Sequence, residues 1–274
     1  MKATDKIEKR LKTSRSMLCV GLDPNFPLLP QKYAERPEPL FAFCRMIIDN
    51  TYEYAAAFKI NCAFFEQFGA SGIGELKKTC DYLKNNYPAI PLLLDAKRGD
   101  VSSTNLGYAG FIYDYLGADG ATLHPYLGSE AMKPFLDRKD RAAIILCRTS
   151  NPGAGEFQDL QVKSKNKHIP LYEIVAETVV NNWNINGNCM LVVGATYPRE
   201  LARVRKIAGD MIILVPGVGA QGGEIREVLR SGLNSNKRGL LINVGRAILY
   251  QDNPKEVAAK AKYFRDEINS LINY

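Results

Sequence analysis

The chain reads as an α/β protein, a (β/α)8 (TIM) barrel forming a single domain over residues 1–274 with a short N-terminal helix. Three observations predict this. Eight short apolar runs recur along the sequence, near-continuous rather than alternating, as parallel strands buried on both faces require. Longer amphipathic stretches separate them, which gives β-then-α units in series. Residues able to do chemistry gather where the runs end, on the side that carries barrel active sites. A doubly wound parallel sheet is the runner-up.

The N-terminal segment MKATDKIEKRLKTSRS is basic and lacks the apolar region of a signal peptide. Ile7 and Leu11, four apart, give it one apolar helical face. Strands are expected at 17–23, 56–60, 91–97, 120–125, 142–147, 189–194, 211–216 and 239–245. Helices are expected at 38–54, 74–86, 102–116, 171–184, 198–207, 222–231 and 254–272, the last opened by Pro254. The connections 24–39 and 153–170 are long, and each follows a strand end on the active-site side, so either can form a wall or lid. No linker or shift of composition divides the chain.

Composition narrows the classes. Apolar residues make up 46% and charged residues 24%, ordinary for a soluble globular protein. No apolar run has the length of a membrane span. The net charge of +7 is spread along the chain, with KSKNKH (163–168) as its one dense run, expected in a solvated loop, so no nucleic-acid patch emerges. Six cysteines form no C-x-x-C pair and no metal-ligand spacing, which suits free thiols in a reducing cytoplasm. With only His124 and His168, a multi-histidine metal site is not expected, and His124 reads as a rim or turn residue.

The segment LLLDAKRGDVSST (92–104) carries the most information. Alternation along a strand puts Asp95 and Lys97 on one face. Gly99 permits a sharp turn that can swing Asp100 back toward Lys97, leaving an ammonium between two carboxylates. Such charges against an apolar strand are costly to desolvate, so they serve either a structural ion network or catalysis. Other strand ends add Asp23, Lys59 with Asn61, and Thr149-Ser150-Asn151-Pro152. Gly217, Gly219, Gly222 and Gly223 after the seventh strand, with Gly245 and Arg246 after the eighth, have the makings of a phosphate site. They offer open backbone N–H groups, a helix N-terminus and a guanidinium.

Taken in order, GLD, FKIN, DAKRGDVSST, TSNPGA, PGVGAQGG and VGRAI give nearly the whole chain a pattern that resembles orotidine 5′-phosphate decarboxylase, in its second bacterial subgroup with longer loops. The resemblance implies a cofactor-free and metal-free homodimer with shared active sites, converting orotidine 5′-phosphate to UMP and carbon dioxide. It implies that Lys97 protonates C6 and that Asp95 faces the substrate carboxylate. Lys59 and Asp23, with Asn61 beside them, hold the ribose and organise the charges. Asp100 and Thr104 are implied to serve the neighbouring subunit's site, Ser150 to read the pyrimidine edge, Gln221 to bridge phosphate and base, and Gly245-Arg246 to hold the phosphate. Thr149 beside Ser150 leaves open which hydroxyl reads the base. The rival readings are a metal-dependent sugar-phosphate lyase such as 3-hexulose-6-phosphate synthase, which expects a glutamate where Leu93 stands, and a non-catalytic nucleotide-phosphate sensor, which expects a damaged charge array.

Overall fold

The computed structural model describes residues 1–164, 167–219 and 225–272. Eight parallel strands close a barrel: β1 Leu18–Leu22, β2 Ala57–Asn61, β3 Leu92–Arg98, β4 Gly120–Leu123, β5 Ala142–Arg148, β6 Cys189–Val193, β7 Ile213–Pro216 and β8 Leu240–Val244. Each strand pairs with its neighbours in the sequence order of the strands, and β8 pairs with β1 to complete the ring. Every residue of β1, β5, β6 and β8 is buried, because the barrel interior takes one face and the helices the other.

The outer layer includes the helices Pro39–Thr51, Gly69–Asn86, Pro198–Ala208 and Pro254–Ile272. Three of these open on proline, whose missing N–H costs nothing in the first helical turn. The expected helix over 102–116 changes pitch on the way: Ser102–Ala109 is α-helical and Gly110–Tyr115 winds more widely as a π-helix. Leu171–Thr178 continues into Val179–Trp183 in the same manner. The N-terminal helix Ala3–Thr13 buries Ile7 and Leu11. Its Lys6 pairs with Asp119 at 2.7 Å, and its Arg10 donates to the carbonyls of Tyr52 and Ala55. These partners precede β4 and β2, so the helix lies at the N-terminal end of the barrel, opposite the strand ends that carry chemistry. Among the described residues no helix is long and apolar enough to cross a membrane.

Two expectations need correction. The dense basic run at 163–168 is not a plain loop, because Gln161–Ser164 and Lys167–Pro170 pair antiparallel as a hairpin. Lys163, Lys167 and His168 remain exposed, so the hairpin costs no charge burial. A helix at Gly128–Leu136 follows β4 where none was expected. Its breakers hid it: Gly128 takes a positive φ of 83° just at the start, and Pro134 sits inside the helix.

One buried cation fastens the lower barrel. The Arg205 guanidinium donates to the carbonyls of Gly232, Gly209, Met211 and Gly239 at 2.6–2.8 Å. Burial lowers its pKa to about 10, against a smaller opposing pull from Asp210. Arg205→Met is expected to cost roughly 3 kcal/mol or more, since each polar group left unpaired costs about 1–3 kcal/mol. Arg205→Lys, reaching fewer carbonyls, should lose less. Urea unfolding measures both, and an unchanged midpoint in the methionine variant would contradict this role.

Candidate active site

The strand registers bring four charges into line at the C-terminal mouth. Gly21 of β1 lies beside Lys59 of β2, and Asn61 of β2 beside Asp95 of β3. Lys59 is only 3% exposed, with Nζ 3.0 Å from Asp95 Oδ2 and 3.9 Å from Asp23 Oδ1. Lys97 Nζ binds the other oxygen of the same carboxylate, Asp95 Oδ1. The order is Asp23, Lys59, Asp95, Lys97, alternating in sign. Burial alone would lower the pKa of Lys59, but Asp95 and then Asp23 reverse that and raise it. Burial alone would raise that of Asp95, yet Lys59 and Lys97 hold its carboxyl well below the usual carboxylate range. A buried carboxylate between two ammonium groups is a fixed, preorganised field.

Plain alternation along β3 does not account for this geometry. Between the pairs Leu94↔Ala121 and Arg98↔Leu123, β3 advances four residues while β4 advances two, so Asp95, Ala96 and Lys97 form a bulge. Bulges next to active sites re-aim side chains. Lys97 takes a left-handed backbone with φ 44°, a conformation that costs an L-residue about 1–2 kcal/mol. Its N–H donates to Thr122 Oγ1 of β4 at 3.0 Å, and that hydroxyl donates to Asp95 Oδ1 at 2.9 Å. The Lys97 side chain is 48% exposed, whereas Lys59 is enclosed. One lysine is a buried member of the array, and the other reaches the open mouth.

Asp100 does not return to Lys97. No ion pair joins them among the described residues, and Asp100 Oδ1 accepts instead from the N–H of Val101. Asn105, fully buried, fixes this turn: it accepts from the Asp100 N–H and donates to the carbonyls of Asp100 and Ala131. Gly99 serves close approach, because a Cβ there would lie 2.8 Å from that of His124. His124 follows β4 with much of its side chain in solvent, and partial desolvation by its neighbours, then the Lys97 charge, lowers its pKa. Thr104 is exposed on the helix that follows.

The other expected residues that are described lie at or after strand ends on the same rim. Asp23 Oδ1 is buried without a hydrogen-bond partner. Gly245 backs onto Asp23, where a Cβ would stand 3.0 Å from Oδ2. Arg246 is exposed and opens the short helix Arg246–Leu249. Gly217 and Gly219 take positive φ values of 100° and 81°. Gln221, Gly222 and Gly223 lie outside the described residues. Asn61 Oδ1 accepts from the Ala63 N–H. Thr149 is engaged by its own loop, donating to Asn151 Oδ1 and accepting from Gln158 Nε2. Ser150 lies against Gly194, where a Cβ would come within 2.6 Å of its own. Buried Arg148 holds this loop through both oxygens of Asp159, at 2.8 and 3.0 Å.

Sequence reasoning missed Thr122, Asn105, Arg148 and Tyr250. Tyr250 donates to the Asp23 carbonyl and accepts from the Asn25 N–H, both at 2.7 Å. A buried polar residue directly after or within an apolar run was the available signal for Thr122 and Arg148.

Comparison with known proteins adds independent findings. Residues 16–261 match the family described as orotidine 5′-phosphate decarboxylase / HUMPS. The chain is 42% identical over 269 residues to an orotidine 5′-phosphate decarboxylase of Janthinobacterium sp. (strain Marseille), spanning 98% of this chain and 97% of that protein. It is 44% identical over 260 residues to another from Roseiflexus castenholzii, spanning 95% and 93%. Among solved structures, Leishmania donovani OMP decarboxylase superposes with a TM-score of 0.88 at 40% identity, covering both chains completely.

The charge array has a signature in acid. Asp95, held below its ordinary value, adds stability that is complete above the ordinary carboxylate range and is lost as pH falls through that range toward the folded value. Lys59, raised, adds stability that is complete below the ordinary lysine value and is lost only at high pH. Below about pH 5, wild type should therefore lose stability faster than Asp95→Asn. Parallel acid limbs in urea unfolding at stepped pH would mean that Asp95 is not held ionised by its lysines.

Proposed function

The chain belongs to the orotidine 5′-phosphate decarboxylase / HUMPS family, and from that premise we propose that it is a carboxy-lyase that converts orotidine 5′-phosphate to UMP and carbon dioxide without a cofactor, the last step of de novo pyrimidine nucleotide synthesis. The observation that carries the reading is the Asp23–Lys59–Asp95–Lys97 array, with the exposed ammonium at its open end. Loss of carbon dioxide from C6 leaves a carbanion on a ring with no electron sink at that position. A fixed cation must stand where that charge appears, and it must also deliver a proton. Lys97 does both: its N–H bond breaks as the C6–H bond forms, and the lysine is left as an amine. Asp95 faces the departing carboxylate and holds Lys97 in place.

One cation is not enough. Two unit charges ~4 Å apart attract by about 4 kcal/mol at an effective dielectric near 20, whereas enzymes commonly supply ~8–23 kcal/mol. The remainder comes from the whole array and from phosphate binding energy used at a distance. On this reading Gly245 and Arg246 hold the phosphate, and Gln221 bridges it to the base. Asp23, whose buried Oδ1 faces Lys59 but accepts no hydrogen bond, Lys59 and Asn61 take the ribose hydroxyls. Ser150 reads the base, because the Thr149 hydroxyl is committed to Asn151 and Gln158.

The metal-dependent sugar-phosphate alternative fits less well. Leu93 is a buried apolar residue where that chemistry wants a glutamate. Both oxygens of Asp95 already face ammonium groups, so a metal ion would have to displace a lysine.

A homodimer with shared sites is part of the proposal. Asp100 makes no ion pair with its own Lys97 among the described residues, and Thr104 is exposed on the helix that follows. Val101, Leu106, Tyr126 and Leu127 leave apolar surface open on the segments after β3 and β4, which supports an interface there. Residence in a reducing cytoplasm is supported by six buried, unpaired thiols.

The direct test is a UV assay with orotidine 5′-phosphate after exhaustive chelation, in which metal-independent turnover is expected. Lys97→Ala should nearly abolish that turnover and still bind UMP, and near-normal turnover would remove Lys97 from the acid role. For the shared site, Lys97→Ala and Asp100→Ala are each expected to be inactive alone and to regain activity on mixing with subunit exchange. A heterodimer then holds one intact site and one doubly damaged site. Proven exchange with no recovery would refute the sharing.

A further inference from the structure

Thr122 touches the reacting array at two points. It is buried on β4, directly beside the bulge of β3. Its Oγ1 accepts from the Lys97 amide at 3.0 Å and donates to Asp95 Oδ1 at 2.9 Å. The Lys97 ammonium binds that same Oδ1. These contacts close a ring that runs from the Lys97 amide through the Thr122 hydroxyl and the Asp95 carboxylate to the Lys97 ammonium. A threonine hydroxyl has one proton. With the amide N–H filling an acceptor site, that proton is directed at Asp95.

We propose that Thr122 is a positioning residue for the decarboxylation, tying the backbone of Lys97 to the carboxylate of Asp95 so that the ammonium is presented at one fixed place. The inference deepens the decarboxylase reading and rests on it. Two physical needs meet at this hydroxyl. The bulge takes the Lys97 amide out of the ladder pairing between β3 and β4, and the left-handed backbone there is unfavourable without support. A lysine held only by its charged tip would also keep the freedom of a long, flexible stem. Anchoring the amide and the ammonium to one carboxylate removes freedom at both ends. The hydroxyl also matters after the proton has moved. Once Lys97 is an amine, Asp95 Oδ1 loses its ammonium but keeps the Thr122 O–H, while Lys59 remains on Oδ2.

The test compares Thr122→Val, which removes both hydrogen bonds with little change of shape, and Thr122→Ser, which keeps the hydroxyl. Wild-type turnover of orotidine 5′-phosphate is measured first, and an inert wild type overturns the decarboxylase reading and this inference with it. With an active wild type, Thr122→Val should lower kcat roughly 10- to 100-fold, the scale of one hydrogen bond to a charged group. UMP affinity should stay close to wild type, the thermal midpoint should fall by no more than several degrees for the lost hydrogen bonds, and Thr122→Ser should restore most of kcat. Should the valine variant fail to fold, Thr122→Cys carries the same expectation, because a thiol is a weak donor and acceptor. Three results would overturn the proposal in an active enzyme: an unchanged kcat in the valine or cysteine variant, a serine variant as impaired as valine, or UMP affinity falling in step with kcat.

Discussion

The mouth of the barrel is organised around one buried ammonium. An unpaired lysine charge inside a barrel would cost several kcal/mol, so Lys59 requires carboxylates held close and held ionised. It has two, Asp95 at 3.0 Å and Asp23 at 3.9 Å, one in β3 and the other directly after β1, the strands on either side of its own. The registers β1 to β2 and β2 to β3 are therefore part of the electrostatics. A slip of either strand by one residue would turn its charged side chain to the other face and leave Lys59 buried with half its compensation. The same requirement keeps Asp95 ionised, and an ionised Asp95 is what can hold a second lysine at the surface of the array.

The two lysines share one carboxylate and differ in everything else. Lys59 sits in regular strand geometry, enclosed, with its charge compensated by two carboxylates. Lys97 sits in a bulge on a strained backbone and reaches the open mouth. A regular strand would let Lys97 pair through the ladder and would set its side chain by alternation alone. The bulge gives that up and re-aims the side chain so that it meets Asp95 Oδ1, while Lys59 takes Oδ2. Strain of this kind persists only where the surroundings over-determine it, and here Thr122 from β4 supplies the restraint.

Much of this was legible in the sequence, for physical reasons. All eight barrel strands were legible because burial on both faces demands continuous apolar runs, and the residues that break those runs mark the chemical end. Asp23, Lys59, Asp95 and Lys97 were legible as charges at strand ends. What was not legible depends on pairing between distant segments. The bulge exists only relative to β4, so spacing within LLLDAK suggested simple alternation. Asp100 was expected to swing toward Lys97, but Asn105, five residues on, holds it in a different turn through a side chain buried against the helix that begins at Gly128. That helix was itself hidden by Gly128 and Pro134. The hairpin in the 153–170 connection was hidden by its charges, which face outward and read as a loop.

The closure of the barrel also joins two ends of the site that the sequence keeps far apart. Asp23 follows β1, and Gly245 follows β8, the strand that pairs with β1 to complete the ring. Gly245 approaches Asp23 so closely that a Cβ would stand 3.0 Å from its carboxylate. Four residues past Arg246, Tyr250 reaches back to bond the backbone at Asp23 and Asn25. On the decarboxylase reading, Gly245 and Arg246 receive the phosphate while Asp23 begins the charge array. Force or displacement at the phosphate end then has a short and rigid route to Lys59. Binding energy from a remote group can assist chemistry only if the two parts are held in fixed relation, and the seam between β8 and β1 is where this fold provides that relation.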